Sequence, residues 1–365
     1  MTKKELEMVG RRPDVEFWRG RRVLLTGHTG FKGSWLTWWL REMGSDVHGV
    51  SLPEPPSQPC LWEQLGVSGV TESRSDVAGG TWQEDARRFV PDVVLHLAAQ
   101  PLVSAGYADP RTTYTTNVQG TVNVLDLVAQ LDGVRACVVV TTDKVYDVRQ
   151  DAPFAETAFL GGKDPYSASK AAAELVVSSW PSPVPTATAR AGNVIGGGDW
   201  AADRLLPDLV RAWAAGLEVS LRMPEAIRPW QHVVEPLAGY LLFVEDLVSG
   251  RDVPSALNFG PSQDQAVAVG EVVDFAAAEW ARLVPGSRLG RQVVGRPDMR
   301  ETGVLTLDST AASEVLDWQG HWNWREAVSR TLSWYVMAAR GTAAAELVAR
   351  DVDAYVNGSV PLGDE

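Results

Sequence analysis

The feature that most constrains the fold is a glycine-spaced turn near the start of the chain. The segment "VLLTGHTGFKGSWL" places Gly27, Gly30 and Gly33 at a GxxGxxG spacing between an apolar strand and an amphipathic helix. Glycines there permit a tight turn, let the backbone approach a pyrophosphate and let the helix pack closely on the strand. The helix N-terminus adds N–H donors and a positive dipole. Glycine is common in turns of every kind, but this placement favours a dinucleotide-binding turn.

Strands and helices then alternate as far as about residue 195. Apolar runs such as "VVLHLAAQ" and "ACVVVTT" are interleaved with helical segments such as "DPYSASKAAAELVVSSW". Near-continuous apolar strands are typical of strands that are buried on both faces. The alternation therefore predicts an α/β fold with a doubly wound parallel (Rossmann) sheet.

The pattern changes beyond residue 195, where glycine, proline, tryptophan and arginine become dense in "GGGDWAADRLLPD" and "RMPEAIRPWQHV". This change predicts a second, smaller domain of mixed α/β structure that binds the substrate. The predicted organisation is a Rossmann domain over 17–194 with a returning segment near 232–250, a substrate domain over 195–340, and terminal extensions at 1–16 and 341–365.

Composition excludes several classes of function. The net charge of −13 disfavours a nucleic-acid partner, because phosphate backbones bind to basic surfaces. The chain shows no apolar run near the roughly 20 residues that a membrane helix needs, and its N-terminus is too charged for a secretory signal. Cys60 and Cys137 stand far apart without a Cys/His cluster, so we expect neither a disulfide nor a metal site. A cytoplasmic location is the default expectation.

A tyrosine and a lysine are spaced for proton chemistry in "DPYSASK". Tyr166 and Lys170 lie four residues apart, on one face of a helix that Asp164 would cap and Pro165 would begin. A phenol is a poor base at neutral pH unless a cation stabilises its phenolate, and Lys170 could do so. The pair YxxxK occurs often by chance, but here it follows a strand that ends in threonines, which strengthens the catalytic interpretation.

Opposite charges stand side by side after that strand, in "CVVVTTDKVYD". Asp143 and Lys144 could form a solvated turn, or they could be an acid and a base held over a substrate. An aspartic acid can donate a proton only if its pKa is raised, and a lysine can accept one only if its pKa is lowered; a closed, desolvated pocket would favour both changes.

The adenosine end of the predicted dinucleotide site lacks one expected residue. Pro53 stands where an acidic residue usually closes the second strand, and Glu54 is the nearest carboxylate. No arginine stands there to bind a 2′-phosphate, which favours NAD over NADP. Asp76 is placed to meet the adenine amino group if the third strand ends beside it, and it could equally be a turn or cap residue.

These motifs together resemble the extended short-chain dehydrogenase/reductases. More narrowly, the segments "TGHTGFKGSWL", "AAQPLV", "DPYSASK", "GNVIGGGDWAADRLLPD" and "RPWQHVVEPLAGY" resemble those of CDP-glucose 4,6-dehydratases from about residue 17 to 335. The resemblance implies an NAD-dependent enzyme that oxidises a nucleotide sugar at C4, eliminates water across C5 and C6, and returns the hydride to C6.

The resemblance also implies roles for individual residues. Tyr166 would act as the base at the sugar 4-hydroxyl, assisted by Lys170 and Thr142, whereas Asp143 and Lys144 would supply the acid and base of the elimination. The cofactor residues that it implies, besides the three glycines and the YxxxK pair, are Phe31, Lys32, Ala98, Ala99, Gln100 and Asn117.

An anionic substrate requires local positive charge in this acidic chain. Arg204, Arg228 and Arg296 could grip a diphosphate, although each could equally form a structural ion pair. The resemblance assigns Asn193 and Glu301 to the substrate as well. It further implies a homodimer, for which the apolar faces of "VNVLDLVAQL" and "ASKAAAELVV" are suited unless they cover the chain's own sheet.

The sequence therefore predicts a nucleotide-sugar 4,6-dehydratase that acts on CDP-glucose. A 4-epimerase or dehydrogenase of the same superfamily would need Tyr166, Lys170 and Thr142 but not the Asp143 and Lys144 pair. A nucleotide-binding sensor without catalysis would need none of the five.

Overall fold

The computed structural model describes residues 10–150, 153–221, 223–287, 289–293 and 304–358. Its strands are β1 (Arg22–Thr26), β2 (Asp46–Ser51), β3 (Val70–Arg74), β4 (Val93–His96), β5 (Ala136–Val140), β6 (Thr186–Arg190), β7 (Val194–Ile195), β8 (Glu218–Leu221), β9 (Ile227–Pro229), β10 (Gln231–His232), β11 (Ala256–Asn258), β12 (Ala266–Ala268) and β13 (Gly290–Val293).

Helices connect most of these strands. They are α1 (Val15–Trp18), α2 (Phe31–Glu42), α3 (Leu61–Leu65), α4 (Trp82–Phe89), α5 (Val103–Ala108), α6 (Pro110–Tyr114), α7 (Gly120–Ala129), α8 (Pro165–Ser179), α9 (Leu205–Ala214), α10 (Val234–Ser249), α11 (Val269–Leu283), α12 (Thr310–Leu316), α13 (Trp324–Ala339) and α14 (Ala344–Asn357). A π-helical turn (Thr115–Gln119) precedes α7, and 3₁₀ turns cover Asp143–Val145 and Gln263–Gln265.

The central sheet has seven parallel strands in the order β11-β6-β5-β4-β1-β2-β3. Val23 in β1 pairs with Val47 of β2 on one side and with Val93 of β4 on the other. The chain thus leaves β1 in one direction and returns on its other side at β4. The predicted doubly wound parallel sheet is confirmed, and the position between β1 and β4 is the switch point where ligands bind in such sheets.

Successive residues of β1 pack into opposite layers, as the period of two in a strand requires. Val23 and Leu25 join a cluster that includes α2 and α10, whereas Leu24 joins a second cluster with α4 and α7. Both faces of the sheet are therefore covered by helices, which explains why the strands show no alternation of apolar and polar residues.

The remainder of the chain builds a second wall from short strand pairs. Strand β8 pairs with β13 and β7 with β10 in parallel, whereas β9 and β12 are antiparallel. Between them the chain returns to the central sheet, where α10 packs against β5 and β11 adds the seventh strand beside β6. Helix α10 lies within the range 232–250 that the sequence suggests for a returning segment, and β11 lies beyond it.

Both ends of the described range pack on helices, among them helices that cover the central sheet. Helix α14, which lies in the segment treated as a terminal extension, contacts α2, α3 and α13. Near the N-terminus, Arg11 forms ion pairs with Glu245 at 2.7 Å and Asp246 at 2.5 Å on α10. Across the described ranges, no helix has the length and apolar character needed to span a membrane.

A buried ion pair attaches α14 to α13. The side chain of Arg330 is 1% exposed, lies 3.2 Å from the Asp351 carboxylate and contacts Glu326 at 2.6 Å. Burial raises the pKa of Asp351, and the charges of Arg350 and Arg330 oppose this rise. Because both partners are removed from water, each depends on the other for its stability in the interior.

We predict that Asp351→Ala lowers the free energy of unfolding by about 3 kcal/mol, because it leaves a buried guanidinium with less compensation. The control is Asp353→Ala, which removes an exposed carboxylate from the same helix and should change stability by about 0.5 kcal/mol or less. Chemical denaturation measures both. Equal losses in the two variants would contradict the role given to Asp351.

Candidate active site

A cleft of about 990 Å³ lies between the carboxyl ends of the central strands and the second wall. It is lined by most of the residues that the sequence nominated: Gly27, Gly30, Phe31, Lys32, Gly33, Asp76, Ala98, Ala99, Thr142, Asp143, Lys144, Tyr166, Lys170, Asn193, Arg204 and Arg228. Gln100 and Asn117 lie beside this lining, and Arg296 and Glu301 lie outside the described residues.

The glycine turn between β1 and α2 forms a cradle with no side chains. Gly27 has a φ of +79°, and a Cβ there would lie 2.7 Å from the backbone nitrogen of Ala98. A Cβ at Gly33 would lie 2.0 Å from the Gly27 carbonyl oxygen. Gly30 caps α2 without a side-chain hydrogen bond, so the first N–H groups of the helix have no side-chain cap. This arrangement fits the pyrophosphate of a dinucleotide.

The adenosine side of the cradle carries two carboxylates. Glu54 lines the cleft after β2, close to the position where an acidic residue was missing. Asp76 also lines the cleft, and its Oδ1 accepts a hydrogen bond of 2.9 Å from the backbone nitrogen of Ala78. Asp76 therefore shapes a turn. It also lies on the cleft wall, and its contact with the adenine amino group stays a prediction.

Gln100 and Asn117 hold the frame of the site together. The backbone nitrogen of Gln100 donates to Asn117 Oδ1 at 2.8 Å, and Asn117 Nδ2 donates to Ser169 Oγ at 2.8 Å. Asn117 is 1% exposed and lies in the π-helical turn before α7. It thus joins the loop after β4 to the helix that carries Tyr166 and Lys170.

Helix α8 presents that tyrosine and lysine to the cleft. Asp164 caps the helix by accepting from the backbone nitrogen of Ser167 at 3.0 Å, and Pro165 begins it, as the sequence predicts. Burial lowers the pKa of Lys170 to about 8, and its Nζ donates to the Val140 carbonyl at 3.0 Å. Lys170 is thus fixed at the carboxyl end of β5.

The environment of Tyr166 acts on its pKa in both directions. Burial raises the pKa of the phenol, whereas a hydrogen bond with Thr142 and the charge of Arg204 oppose the rise. Further positive charge in the cleft would favour the phenolate in the same way. The site is therefore arranged so that a cationic ligand would assist proton removal by Tyr166.

The Asp143 and Lys144 pair is not a solvated turn. Asp143 is fully buried, and its Oδ1 accepts from Thr142 Oγ1 at 2.8 Å and from Lys144 Nζ at 3.4 Å. The Lys144 side chain remains 31% exposed towards the cleft. Thr142 therefore lies at the junction of two sets of groups, Tyr166 on one side and the acid and base pair on the other.

Lys32 brings a positive charge to the dinucleotide cradle, in the first turn of α2. Its Nζ donates to the Tyr240 hydroxyl at 3.4 Å. Burial lowers the pKa of Lys32 to about 7, with Arg204 and Lys170 adding to the decrease. Lys32 consequently loses its positive charge at a lower pH than an ordinary lysine does.

Arg204 and Arg228 bring positive charge to the second wall. Arg204 precedes α9, and its charge lowers the pKa of Tyr166, so it stands close to that side chain. Arg228 is 8% exposed on β9 and donates to the Ile227 carbonyl at 2.8 Å. Asn193 lines the cleft in a left-handed turn with φ of +45°.

Sequence reasoning missed a buried network beneath the site. Glu174 accepts from Arg190 Nη2 at 2.7 Å and from Thr188 at 2.7 Å, and Thr141 also donates to it. Arg190 donates in turn to the Tyr146 hydroxyl at 2.7 Å. The signal was present in the sequence, since Glu174 follows Lys170 by one turn of the same helix. Among the described residues, no group of His, Cys, Asp and Glu could hold a metal ion.

The chain is similar to known proteins over most of its length. A sequence profile described as the NAD dependent epimerase/dehydratase family matches residues 23–260. A CDP-glucose 4,6-dehydratase of Salmonella typhimurium is 40% identical over 343 residues, which cover 90% of this chain and 94% of that protein. A dTDP-glucose 4,6-dehydratase of Streptomyces antibioticus is 27% identical, over 86% of this chain and 92% of its own length.

Solved structures share the fold. The structure of MoeE5 in complex with UDP-glucuronic acid and NAD superposes with a TM-score of 0.73 at 26% identity, covering 87% of this chain and 99% of that one. A UDP-galactose 4-epimerase superposes with a TM-score of 0.70 at 24% identity over 87% of this chain and 99% of its own.

The buried charge of Lys170 gives a prediction about pH. Its folded pKa of about 8 lies below the ordinary value of 10.5, so the unfolded state binds more protons between these values and wild-type stability rises across that window. Below pH 8 the full energetic cost of burying the charge of Lys170 is present. We expect Lys170→Met to unfold with a free energy up to about 3 kcal/mol higher at neutral pH.

That advantage should shrink as the pH rises from 8 towards 10.5. Denaturation at several pH values measures it, with Lys163→Met, which removes an exposed lysine from the rim of the cleft, as the control. An advantage that stayed constant with pH would mean that the charge of Lys170 is not its cause.

Proposed function

We propose, from the premise that this chain belongs to the NAD dependent epimerase/dehydratase family, that it is a nucleotide-sugar 4,6-dehydratase acting on CDP-glucose. The observation that carries the proposal is the contact of two kinds of catalytic group. The oxidation residues Tyr166 and Lys170 share the cleft with a buried Asp143 that is bonded to Lys144, and Thr142 connects the two sets.

The cofactor is NAD, whose pyrophosphate fits the cradle of Gly27, Gly30 and Gly33. When bound, it accepts a hydride from C4 of the sugar and returns it to C6, so that it ends the cycle in its starting form. The chain's part is to hold the cofactor against the substrate and to exclude water. Arg204 and Arg228 on the second wall supply positive charge for the diphosphate.

Proton transfer in the first half falls to Tyr166. As the phenolate it takes the proton of the sugar 4-hydroxyl, while Lys170 and Thr142 stabilise the negative oxygen. The resulting 4-ketone makes the C5 proton acidic. Lys144 takes that proton, and Asp143 donates a proton to the departing 6-hydroxyl. The sum of the cycle is the loss of one water.

The rival within the superfamily is a 4-epimerase or a dehydrogenase. Such an enzyme would use the oxidation groups alone and would have no need of a buried acid joined to a lysine at the end of β5. A nucleotide sensor without catalysis would leave all five groups without a task. The burial of Asp143 therefore favours the dehydratase over both rivals.

We also propose that the protein works as a homodimer in the cytoplasm. Leu175 on α8 is 59% exposed, which supports a contact on the outer face of that helix. The apolar residues of α7, in contrast, are mostly buried in the chain's own core. Both cysteines are free thiols, as is common in a reducing compartment.

A panel of nucleotide glucoses tests the function. We expect purified protein with added NAD to convert CDP-glucose to a product lighter by one water, which mass spectrometry detects, and to act more slowly on dTDP-, UDP- and GDP-glucose. Loss of water from none of the four would overturn the dehydratase proposal. Loss from one of the other three in preference to CDP-glucose would overturn the choice of base alone.

Lys144→Ala tests the second half of the reaction. We expect this variant to bind substrate as the wild type does but to lose water more slowly, by about 10²-fold or more, because general bases contribute this much. Lys163→Ala, which removes an exposed lysine at the rim of the same cleft, is the control. Wild-type turnover by Lys144→Ala would refute the role given to Lys144.

A further inference from the structure

One glycine of the cleft is pressed against the proposed acid. A Cβ placed on Gly192 would lie 1.9 Å from Asp143 Oδ2, 2.1 Å from its Cγ and 2.6 Å from its Oδ1. These are the three nearest atoms among the described residues, and all belong to one carboxyl group. Gly192 lies outside the left-handed region of φ, so its backbone conformation is open to alanine. The requirement for glycine here comes from the carboxyl group of Asp143.

The backbone of Gly192 is held from the opposite side. The Gly192 carbonyl accepts from Gln231 Nε2 at 3.3 Å, and the same nitrogen donates to the Phe259 carbonyl at 2.8 Å. The backbone nitrogen of Gln231 also donates to the Asn193 carbonyl at 3.4 Å. Gln231 is 2% exposed on β10, so the turn at Gly192 is tied to the second wall and has little room to retreat.

Asp143 is held equally firmly. Its Oδ1 accepts both of its donors, Thr142 and Lys144, whereas Oδ2 is buried without a hydrogen-bond partner among the residues that the structure describes. The two oxygens are therefore distinct: one is fixed by hydrogen bonds, and the other lies against the bare Cα of Gly192.

We propose that Gly192 is a positioning residue that sets how deeply the carboxyl group of Asp143 sits in the cleft, and thereby places the acid for the elimination step. The inference rests on the proposed dehydratase function and deepens it. A methyl group at 192 would push the carboxyl group out of contact distance, a shift of more than 1 Å. Displacements of this size cost on the order of 10²-fold in rate when the displaced group takes part in the chemistry.

The oxidation step should be affected less than the elimination by such a change, because the carboxyl group of Asp143 reaches Tyr166 through the hydrogen bonds of Thr142. Lys170 is fixed by α8 and by its hydrogen bond to Val140, neither of which involves residue 192. A methyl group at 192 therefore separates the two halves of the reaction. Reduced nicotinamide and the 4-keto sugar would form, while water would leave slowly.

The test compares Gly192→Ala with the wild type using CDP-glucose and NAD. Absorbance of the reduced nicotinamide follows oxidation, and mass spectrometry follows loss of water. We expect water loss to fall by about 10²-fold, oxidation to change by about threefold or less, and reduced nicotinamide to accumulate. Gly80→Ala is the matched control, since a Cβ on Gly80 meets nothing within 4 Å. Wild-type water loss, or an equal fall in both steps, would overturn the proposal.

A second comparison removes the opposing group. Asp143→Ala deletes the three atoms that a Cβ at 192 would meet, so adding Gly192→Ala to that background should change neither thermal stability nor residual turnover. In the wild-type background, Gly192→Ala should fold but with a lower melting temperature. Equal losses of stability in both backgrounds would overturn the proposal. This comparison does not depend on the substrate, whereas a wild type that removes no water from any nucleotide glucose would contradict the proposed function instead.

Discussion

All seven strands of the central sheet run in one direction, and the site depends on this constraint. Because the strands are parallel, every loop that leaves a strand at its carboxyl end opens on the same edge of the sheet. Residues that are far apart in sequence, such as Gly27, Thr142 and Gly192, are thereby brought to one cleft. The second wall needs to do little more than cover this edge and supply positive charge.

Beneath that edge, a buried ion pair joins the elements that carry the chemistry. Glu174 belongs to the helix of Tyr166 and Lys170, and Arg190 ends β6 just before the turn of Gly192. The Glu174 carboxylate also accepts a hydrogen bond from Thr141, the residue immediately before Thr142. Breaking a buried pair of this kind is costly. The groups that we propose for the oxidation and for the elimination consequently share one rigid support.

The parts of the fold that could be predicted were those with local signals. The glycine turn, the buried strands and the capped helix of Tyr166 and Lys170 are each encoded within about twenty residues of sequence, and their periodicity is strong. The cleft also gathers most of the nominated residues. These residues could be predicted because each belongs to a short motif that lies next to the end of a strand.

The features that the sequence did not predict depend on contacts between distant segments. Strand β11 has only three residues, and its own sequence does not indicate a strand. It is recognised as one by its pairing with β6. Gly192 stands in a segment where glycine is frequent, and its purpose appears when the carboxyl group of Asp143, 49 positions earlier, is placed against it. The network around Glu174 likewise joins residues that only the fold brings together.

The return of the chain to the sheet has a consequence for how such a protein could diversify. The chain first builds six strands of the central sheet, β1 to β6. It then crosses to the second wall through β7 to β10 and returns to the sheet in α10 and β11. It then crosses again for α11 and β12. The proposed cofactor half and the proposed substrate half are therefore interleaved along the sequence. A single recombination point near residue 194 would exchange the substrate wall together with an edge strand and a core helix of the cofactor domain. New specificities are thus more accessible through substitutions in the wall than through exchange of a contiguous module.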